Sequence, residues 1–284
     1  MTNTGYLYAI VAFGIWGLVP LFWQYITHLN PINLLGHRIL WGLLVLVPFL
    51  YNKGPLKIFT KAAREKPIYL LASTILIATN WYTFVYATQA QKMVEASLGY
   101  FLNPLLNVII GIFFFKEHIT KIKVVSFLLA LIGVIFFALG RSGDIWISLT
   151  LAFSFALYGV IHKLSDNKGL EGLYIELVLL LLTFIPFLYF TGEFKPESIL
   201  EDRGFLVFLT GAVTITPLVF FTMAVKLIPY SSVGFIQYLA PLGQLTIGVL
   251  IFKEPLEGQS LISFILIWLA LLIYTGAQLK RKPL

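Results

Sequence analysis

The sequence has no cysteine and few charged residues. Only 12% of its 284 residues are Asp, Glu, Lys or Arg, and none is cysteine. Because a soluble domain carries about 25% charged residues, this composition argues against a soluble protein. Without cysteine, the chain cannot form disulfides, use a thiolate nucleophile or bind metals through cysteine.

Enzyme signatures are also missing. The sequence has no HExxH zinc motif, no GxSxG nucleophile elbow and no phosphate-binding loop. Its four histidines are scattered along the chain. We therefore expect no enzyme activity, no metal site and no cofactor. The net charge of +7 comes from Lys and Arg between apolar runs, which is typical of membrane proteins, so we expect no nucleic-acid partner.

Long apolar runs dominate the chain instead. Hydrophobic residues make up 59% of it, and the mean hydropathy is +0.89. Since about 20 apolar residues span a bilayer, we predict ten transmembrane helices. They are 6–24, 31–51, 67–88, 93–115, 121–139, 145–163, 170–190, 205–225, 231–252 and 259–279. We expect the first run to remain as a membrane helix, because no signal-peptide pattern accompanies it.

One half of the chain repeats in the other. Segment 79–117 matches segment 216–254 at a constant offset and without gaps. The matching pairs include Thr79 and Thr216, Pro104 and Pro241, Lys116 and Lys253, and Glu117 and Glu254. We therefore predict two repeats, residues 1–140 and 141–284. Each holds five predicted helices, an odd number, so the repeats should enter the membrane in opposite directions. Many secondary transporters are built this way, with their site between the halves.

The distribution of basic residues predicts the orientation. With a cytoplasmic N terminus, most Lys and Arg fall in cytoplasmic segments, including 52–66 and 116–123. The positive-inside rule therefore places both termini in the cytoplasm. Segments 52–66 and 191–204 are the longest connections, and we expect both to be linkers.

Four motifs of several residues each stand out along the chain: NWYTFVYA at 80–87, EASLGYFLNPLLNVIIG at 95–111, GAVTITPL at 211–218 and GFIQYLAP at 234–241. They resemble the RarD branch of the EamA family, in the drug/metabolite transporter superfamily. The resemblance implies an all-α polytopic fold of the bacterial inner membrane, with ten transmembrane helices as two inverted five-helix repeats. It also implies a central substrate cavity, with the fifth and tenth helices peripheral. His162 departs from the pattern, because relatives often carry Arg there.

Ionisable residues inside predicted spans are candidates for function, because burying them in a membrane is costly. Arg38 and Glu95 lie at similar depth in the predicted outer third, where they could pair structurally or contact substrate. Glu176 lies at a similar depth to His162 and Lys163 in the inner third. We expect the two clusters to act as gates, although Lys163 could simply reach the interface.

Prolines and aromatic residues give further candidates. Pro104, Pro217 and Pro241 free backbone carbonyls, which suits helices around a cavity, although kinks also occur for packing. The predicted substrate-binding or cavity residues are Trp16, His37, Arg38, Asn80, Trp81, Tyr82, Glu95, Tyr100, Asn103, Tyr158, His162, Glu176, Gln237 and Tyr238. An aromatic lining suits an amphipathic small molecule.

We predict a secondary transporter working by alternating access, through export or exchange. Its solutes would be small metabolites or drug-like amphipathic compounds, amino-acid-like or aromatic. Proton coupling through Glu95 or Glu176 and plain facilitated exchange both remain open, as do monomer and homodimer. The alternative is a membrane sensor or scaffold with the same fold but no transport.

Overall fold

The structure, a computed structural model, describes residues 2–27, 29–65, 67–90, 92–139, 144–165, 169–200, 204–253 and 258–280. All regular secondary structure in these ranges is helical. The α-helices are α1 (Thr2–Trp23), α2 (Pro31–Leu50), α3 (Pro55–Glu65), α4 (Pro67–Gln89), α5 (Met93–Phe113), α6 (Lys121–Ala138), α7 (Ile145–Leu164), α8 (Gly169–Phe190), α9 (Gly204–Leu227), α10 (Tyr230–Gln237), α11 (Leu239–Leu250) and α12 (Gly258–Lys280). Short 3₁₀ helices cover Tyr51–Lys53 and Pro196–Leu200.

The helices confirm the predicted all-α membrane fold. Nine segments of the described chain are long and apolar enough to cross a bilayer, with α10 and α11 together forming one of them. The tenth predicted span corresponds to α12, whose apolar part, Leu261–Ala277, is shorter. Helices α6 and α12 pack closely on each other. A Cβ atom on Gly133 would lie 2.9 Å from the backbone oxygen of Ser263.

One prediction about local structure was wrong. Segment 52–66, expected to be a linker, contains α3, which begins at Pro55 directly after Gly54 in the left-handed region at φ +69°. Helix α3 buries Ala62 and exposes charged residues. A search for long apolar runs cannot find so short an amphipathic helix.

The span expected over 231–252 is confirmed as one membrane-crossing segment, Tyr230–Leu250, within which the helix is interrupted. Helix α10 ends at Gln237 and α11 begins at Leu239.

Pro241 contributes to this interruption. Its ring nitrogen has no proton, so it cannot donate to the carbonyl of Gln237 four residues earlier. Helices α5 and α9, by contrast, continue through Pro104 and Pro217. The three prolines therefore affect their helices differently.

Helix α10 lies at the centre of the bundle, where all eight of its residues are buried. It packs against α5 at two glycines. A Cβ atom on Gly234 would lie 2.6 Å from the carbonyl oxygen of Pro104, and one on Gly111 would lie 2.5 Å from the nitrogen of Ser231. Because both neighbours are backbone atoms, only glycine permits this approach.

We call the end of the bundle where α1 begins, α5 ends and α10 begins the proximal end, and the opposite end distal. The chain leaves α5 through Lys116 at φ +52° and leaves α11 through Lys253 at φ +58°. Non-glycine residues rarely adopt such angles. Lys116 and Lys253 are equivalent positions of the sequence repeat, so the same turn recurs where the sequence recurs.

Candidate functional site

Arg38 is the cation at the centre of one group of candidate residues. Its Nε donates a 2.9 Å hydrogen bond to Oγ1 of Thr214 on α9. Its guanidinium carbon lies 5.0 Å from the ring centre of Trp81 and 5.6 Å from that of Trp23. Tyr100 on α5 is near enough to interact electrostatically with it. Helices α1, α2, α4, α5 and α9 therefore meet here, and we call these five residues the Arg38 site.

His37, next to Arg38 in the chain, is buried and held in its neutral form. Its Nδ1 accepts a 3.1 Å hydrogen bond from Trp41 Nε1. Its Nε2 lies 3.2 Å from the backbone oxygen of Lys195. Because Nδ1 accepts, the hydrogen-bond network assigns the proton to Nε2, which donates to that oxygen. His37 therefore adds no positive charge beside Arg38.

A buried amide network lies between α5, α7 and α10. Gln237 Nε2 donates to Asn103 Oδ1, and Asn107 Nδ2 donates to Gln237 Oε1 at 2.6 Å. Asn103 Nδ2 in turn donates to the backbone oxygen of Ala152 at 2.5 Å. Asn107 Oδ1 is buried without a partner, so the network lacks one hydrogen bond in this conformation. These amides bind one another here, whereas the sequence suggested that Asn103 and Gln237 face a solute.

Glu176 forms a second buried polar group, which links α7 and α8. Tyr158 donates a 3.0 Å hydrogen bond to Glu176 Oε2, and His162 Nε2 lies 2.9 Å from Oε1. All three side chains are buried. The expected proximity of His162 and Glu176 is therefore confirmed. One proton can be shared across this contact, since a carboxylate and an imidazole can both bind it.

The proximal end is closed around Glu117. Its carboxylate accepts hydrogen bonds from the backbone nitrogens of Tyr230 and Ser231, the first residues of α10, and from Ser231 Oγ. Lys123 on α6 donates a 2.9 Å hydrogen bond to the same hydroxyl. We call Glu117, Lys123, Tyr230 and Ser231 the proximal clasp. A carboxylate suits this position, because the first N–H groups of a helix are unpaired and carry partial positive charge.

Two further contacts close the same end. Lys163 in the last turn of α7 donates from Nζ to the backbone oxygens of Val225 and Ile228, at 2.7 and 2.8 Å, at the end of α9. Its ammonium also lies 5.3 Å from the ring centre of Phe115. Lys163 thus caps the end of α9, although the sequence favoured simple extension to the interface. The hydroxyl of Tyr6 lies 3.3 Å from that of Ser232 on α10.

The structure separates Arg38 from Glu95, which the sequence suggested as a partner. Both residues lie in the described part of the chain, yet no ion pair joins them, and the backbone oxygen of Glu95 accepts from Ser148. Similar depth was the only argument for pairing. Depth along a helix does not specify which way a side chain points around it.

The remaining candidate residues have separate surroundings. Trp16 packs in an aromatic group with Phe155 and Phe221, and Asn80 donates to Leu151 and Ser154 on α7. Tyr238 donates to the backbone of Phe101. Tyr82 is half exposed, with its ring edge on Phe184. No three His, Asp or Glu residues within the described ranges form a group that could hold a metal ion.

The sequence analysis missed seven residues of these groups: Trp23, Asn107, Glu117, Lys123, Thr214, Tyr230 and Ser231. Trp23 and Thr214 have no charge that would mark them inside a span. Glu117 had one signal, because the Lys-Glu pair at the end of one repeat recurs at Lys253 in the other. That pair was interpreted only as a marker of the repeat.

Comparison with known proteins agrees with this architecture. The EamA-like transporter family matches the chain twice, over residues 3–139 and 141–276. The chain is 37% identical to Protein RarD of Streptomyces exfoliatus, covering 98% of this chain and 90% of that protein. It is 34% identical to the uncharacterized transporter YojE of Bacillus subtilis, covering 99% and 96%. It is 32% identical to Protein RarD of Escherichia coli, covering 96% and 94%.

A solved crystal structure has the same fold. It superposes with a TM-score of 0.74 at 16% identity, covering 99% of this chain and 100% of that chain. The matching family and the Bacillus subtilis relative YojE are named as transporters. The chain therefore belongs to the RarD branch of the EamA-like transporter family and is a multi-pass membrane transporter of the drug/metabolite superfamily.

Proposed function

We propose that this transporter is a secondary carrier that moves small amphipathic solutes across the bacterial inner membrane by alternating access. The solutes are amino-acid-like or aromatic, and transport is export or exchange. One observation carries this proposal, namely that the two ends of the bundle differ. The proximal end is closed by the proximal clasp, whereas Arg38 on the distal side keeps accessible surface.

The closure supports a two-state mechanism because its contacts join the two halves of the chain. Glu117 belongs to the first half, and α10, which it caps, belongs to the second. Tyr6 and Ser232 are likewise one from each half. Moving one half against the other would break these contacts together, which is what opening the proximal end requires.

The distal side supports a solute site near the middle of the membrane. Trp16, Arg38 and Tyr100 are each partly accessible, whereas Tyr158 and Glu176, nearer the proximal end, are buried. Five helices contribute residues to the Arg38 site, so we place the solute among them, inside the bundle. A solute entering from the distal end would meet the Arg38 site before the buried polar groups.

An inverted repeat would explain how the opposite state forms, because each half can then adopt the conformation of the other. Residues 1–140 and 141–284 are the two repeats in this proposal. Glu254, which is equivalent to Glu117, lies outside the described residues.

Glu176 is the proposed coupling group if transport uses the proton gradient. Its carboxylate lies against His162 and Tyr158, so a proton could be taken up and released within one buried group. Facilitated exchange without protons is the other mode. The two modes differ in whether an imposed pH gradient drives accumulation.

Counterflow into liposomes tests the carrier function. Liposomes holding purified protein are loaded with an unlabelled aromatic amino acid and diluted into a trace of the labelled compound. A carrier accumulates label transiently without any imposed gradient, and protein-free liposomes do not. The assay is repeated with aromatic carboxylates, amides and amines. Absence of counterflow for every solute, with folded protein in the bilayer, would favour a sensor or scaffold.

A further inference from the structure

We infer that Arg38 binds the carboxylate of the transported solute, so that the site selects monoanions with an aromatic or apolar body. This inference rests on the proposed function, since it assigns a substrate class to the same site. It goes further because it assigns the charge of the substrate, which neither the fold nor the names of the relatives provide.

The first argument is that Arg38 has donors to spare. Its Nε is occupied by Thr214. The two Nη groups make no hydrogen bond or ion pair to any described residue. The two Nη groups also keep solvent-accessible surface. If they were buried without a partner they would be among the buried unpaired polar atoms, and no atom of Arg38 is. An arginine fixed through Nε and open at both Nη atoms can bind a carboxylate with two parallel hydrogen bonds.

The second argument is that none of the acidic residues that the structure describes pairs with Arg38 to balance its charge. His37 is neutral, with Nδ1 accepting from Trp41. Glu95 does not pair with Arg38, and Glu176 is engaged by Tyr158 and His162. A cation within a membrane without a counter-ion is costly. A bound carboxylate would remove this cost, and a bound amine would increase it.

The third argument is that the guanidinium is held in place. Trp81 and Trp23 lie within cation–π distance of it, at 5.0 and 5.6 Å. Thr214 fixes its rotation from another helix. Lysine could supply the charge but not this planar, two-pronged arrangement. The surrounding rings also offer apolar contact to the body of a solute, which favours an aromatic carboxylate.

A matched series of probes tests the inference. Phenylacetate, phenylacetamide and phenethylamine share one ring and carry charges of about −1, 0 and +1 at neutral pH. Apparent Kd values are taken from the rise in Tm of the detergent-purified protein with probe concentration. The variants are Arg38→Gln, which removes the charge, and Arg38→Lys, which keeps the charge without the fork. Arg64→Gln, on the exposed face of α3, is the control.

Phenylacetate should bind the wild-type protein and Arg64→Gln with the same Kd, and both other probes should bind more weakly. Arg38→Gln should weaken phenylacetate binding by about 10- to 100-fold, the usual effect of losing hydrogen bonds to a charged group. Arg38→Lys should lie between the two.

Equal binding of the three probes to the wild-type protein would overturn the inference, as would an unchanged phenylacetate Kd in Arg38→Gln. No stabilisation by phenylacetate would overturn it as well, and this result needs no variant to fold. The outcome is separate from that of the carrier proposal. Counterflow of neutral or cationic solutes alone would leave a carrier without carboxylate selectivity, whereas Arg38-dependent binding without counterflow would leave a binding protein.

Discussion

Replacing Glu117 with alanine should shift the transporter towards the state that is open at the proximal end. The carboxylate accepts three hydrogen bonds from the start of α10. Each hydrogen bond to a charged group contributes about 1.5–3 kcal/mol. Because the three share one carboxylate, we take about 3 kcal/mol for the whole group, the value of one strong bond. This energy changes the ratio of closed to open states by about 100-fold.

Thiol labelling can measure the shift, because the chain has no native cysteine. Ser232 is fully buried at the closed proximal end, and a Ser232→Cys change alters little volume. A small maleimide should therefore react with it only when that end opens. In the Glu117→Ala background, the labelling rate should rise by about 100-fold, or up to the rate of an exposed cysteine if that is reached first.

One further variant tests the reasoning. Glu171→Ala removes another proximal carboxylate, but one that makes a single partly exposed ion pair with Lys53 at 3.0 Å. Such pairs contribute about 0–1 kcal/mol, so labelling should hardly change. An unchanged rate in Glu117→Ala, or an equal rise in Glu171→Ala, would refute the role of the proximal clasp.

Three other outcomes follow from the structure and the proposed mechanism. Single cysteines at Lys57 and Thr27 should label from opposite sides of the membrane in intact cells, and labelling from the same side would contradict the topology. Glu176→Gln should abolish accumulation driven by a pH gradient in liposomes and leave exchange intact; accumulation that persists would exclude Glu176 as the coupling group. Gly234→Ala should lower stability by about 1–3 kcal/mol, because its Cβ meets backbone. Gly14→Ala, whose Cβ meets nothing within 4 Å, should not lower Tm, and equal losses would contradict the close packing of α10 on α5.

The sequence predicted the membrane fold and most span boundaries because these depend on properties that can be counted along the chain. Apolar runs of sufficient length mark the spans, since the bilayer demands internally satisfied backbone. The break at Tyr238 was harder to predict, because Pro104 and Pro241 are equivalent in sequence yet only one interrupts its helix. Which proline does so depends on tertiary contacts that the sequence pattern does not contain.

The candidate site was predicted unevenly for a similar reason. Ionisable residues inside spans are conspicuous, because placing a charge within the membrane costs free energy. Arg38 and Glu176 could be identified from the sequence on this ground alone. Their partners could not, because pairing depends on how each helix is rotated. Glu95 has a suitable depth but no contact with Arg38, whereas Thr214, which is uncharged, supplies the hydrogen bond.

Glu117 shows what a sequence repeat adds to such reasoning. The residue follows the end of a membrane helix, where an acidic side chain near the interface would ordinarily be solvated. The Lys-Glu pair recurs in the other half of the sequence, and its lysine is left-handed in both halves, which marks an equivalent turn. At the end of α5 this turn places the Glu117 carboxylate against the first N–H groups of α10. A helix from one half is thus capped by a side chain from the other. In the proposed alternating-access mechanism the cap forms only when the proximal end is closed, so its free energy acts on the balance between the two states and not only on the stability of the fold.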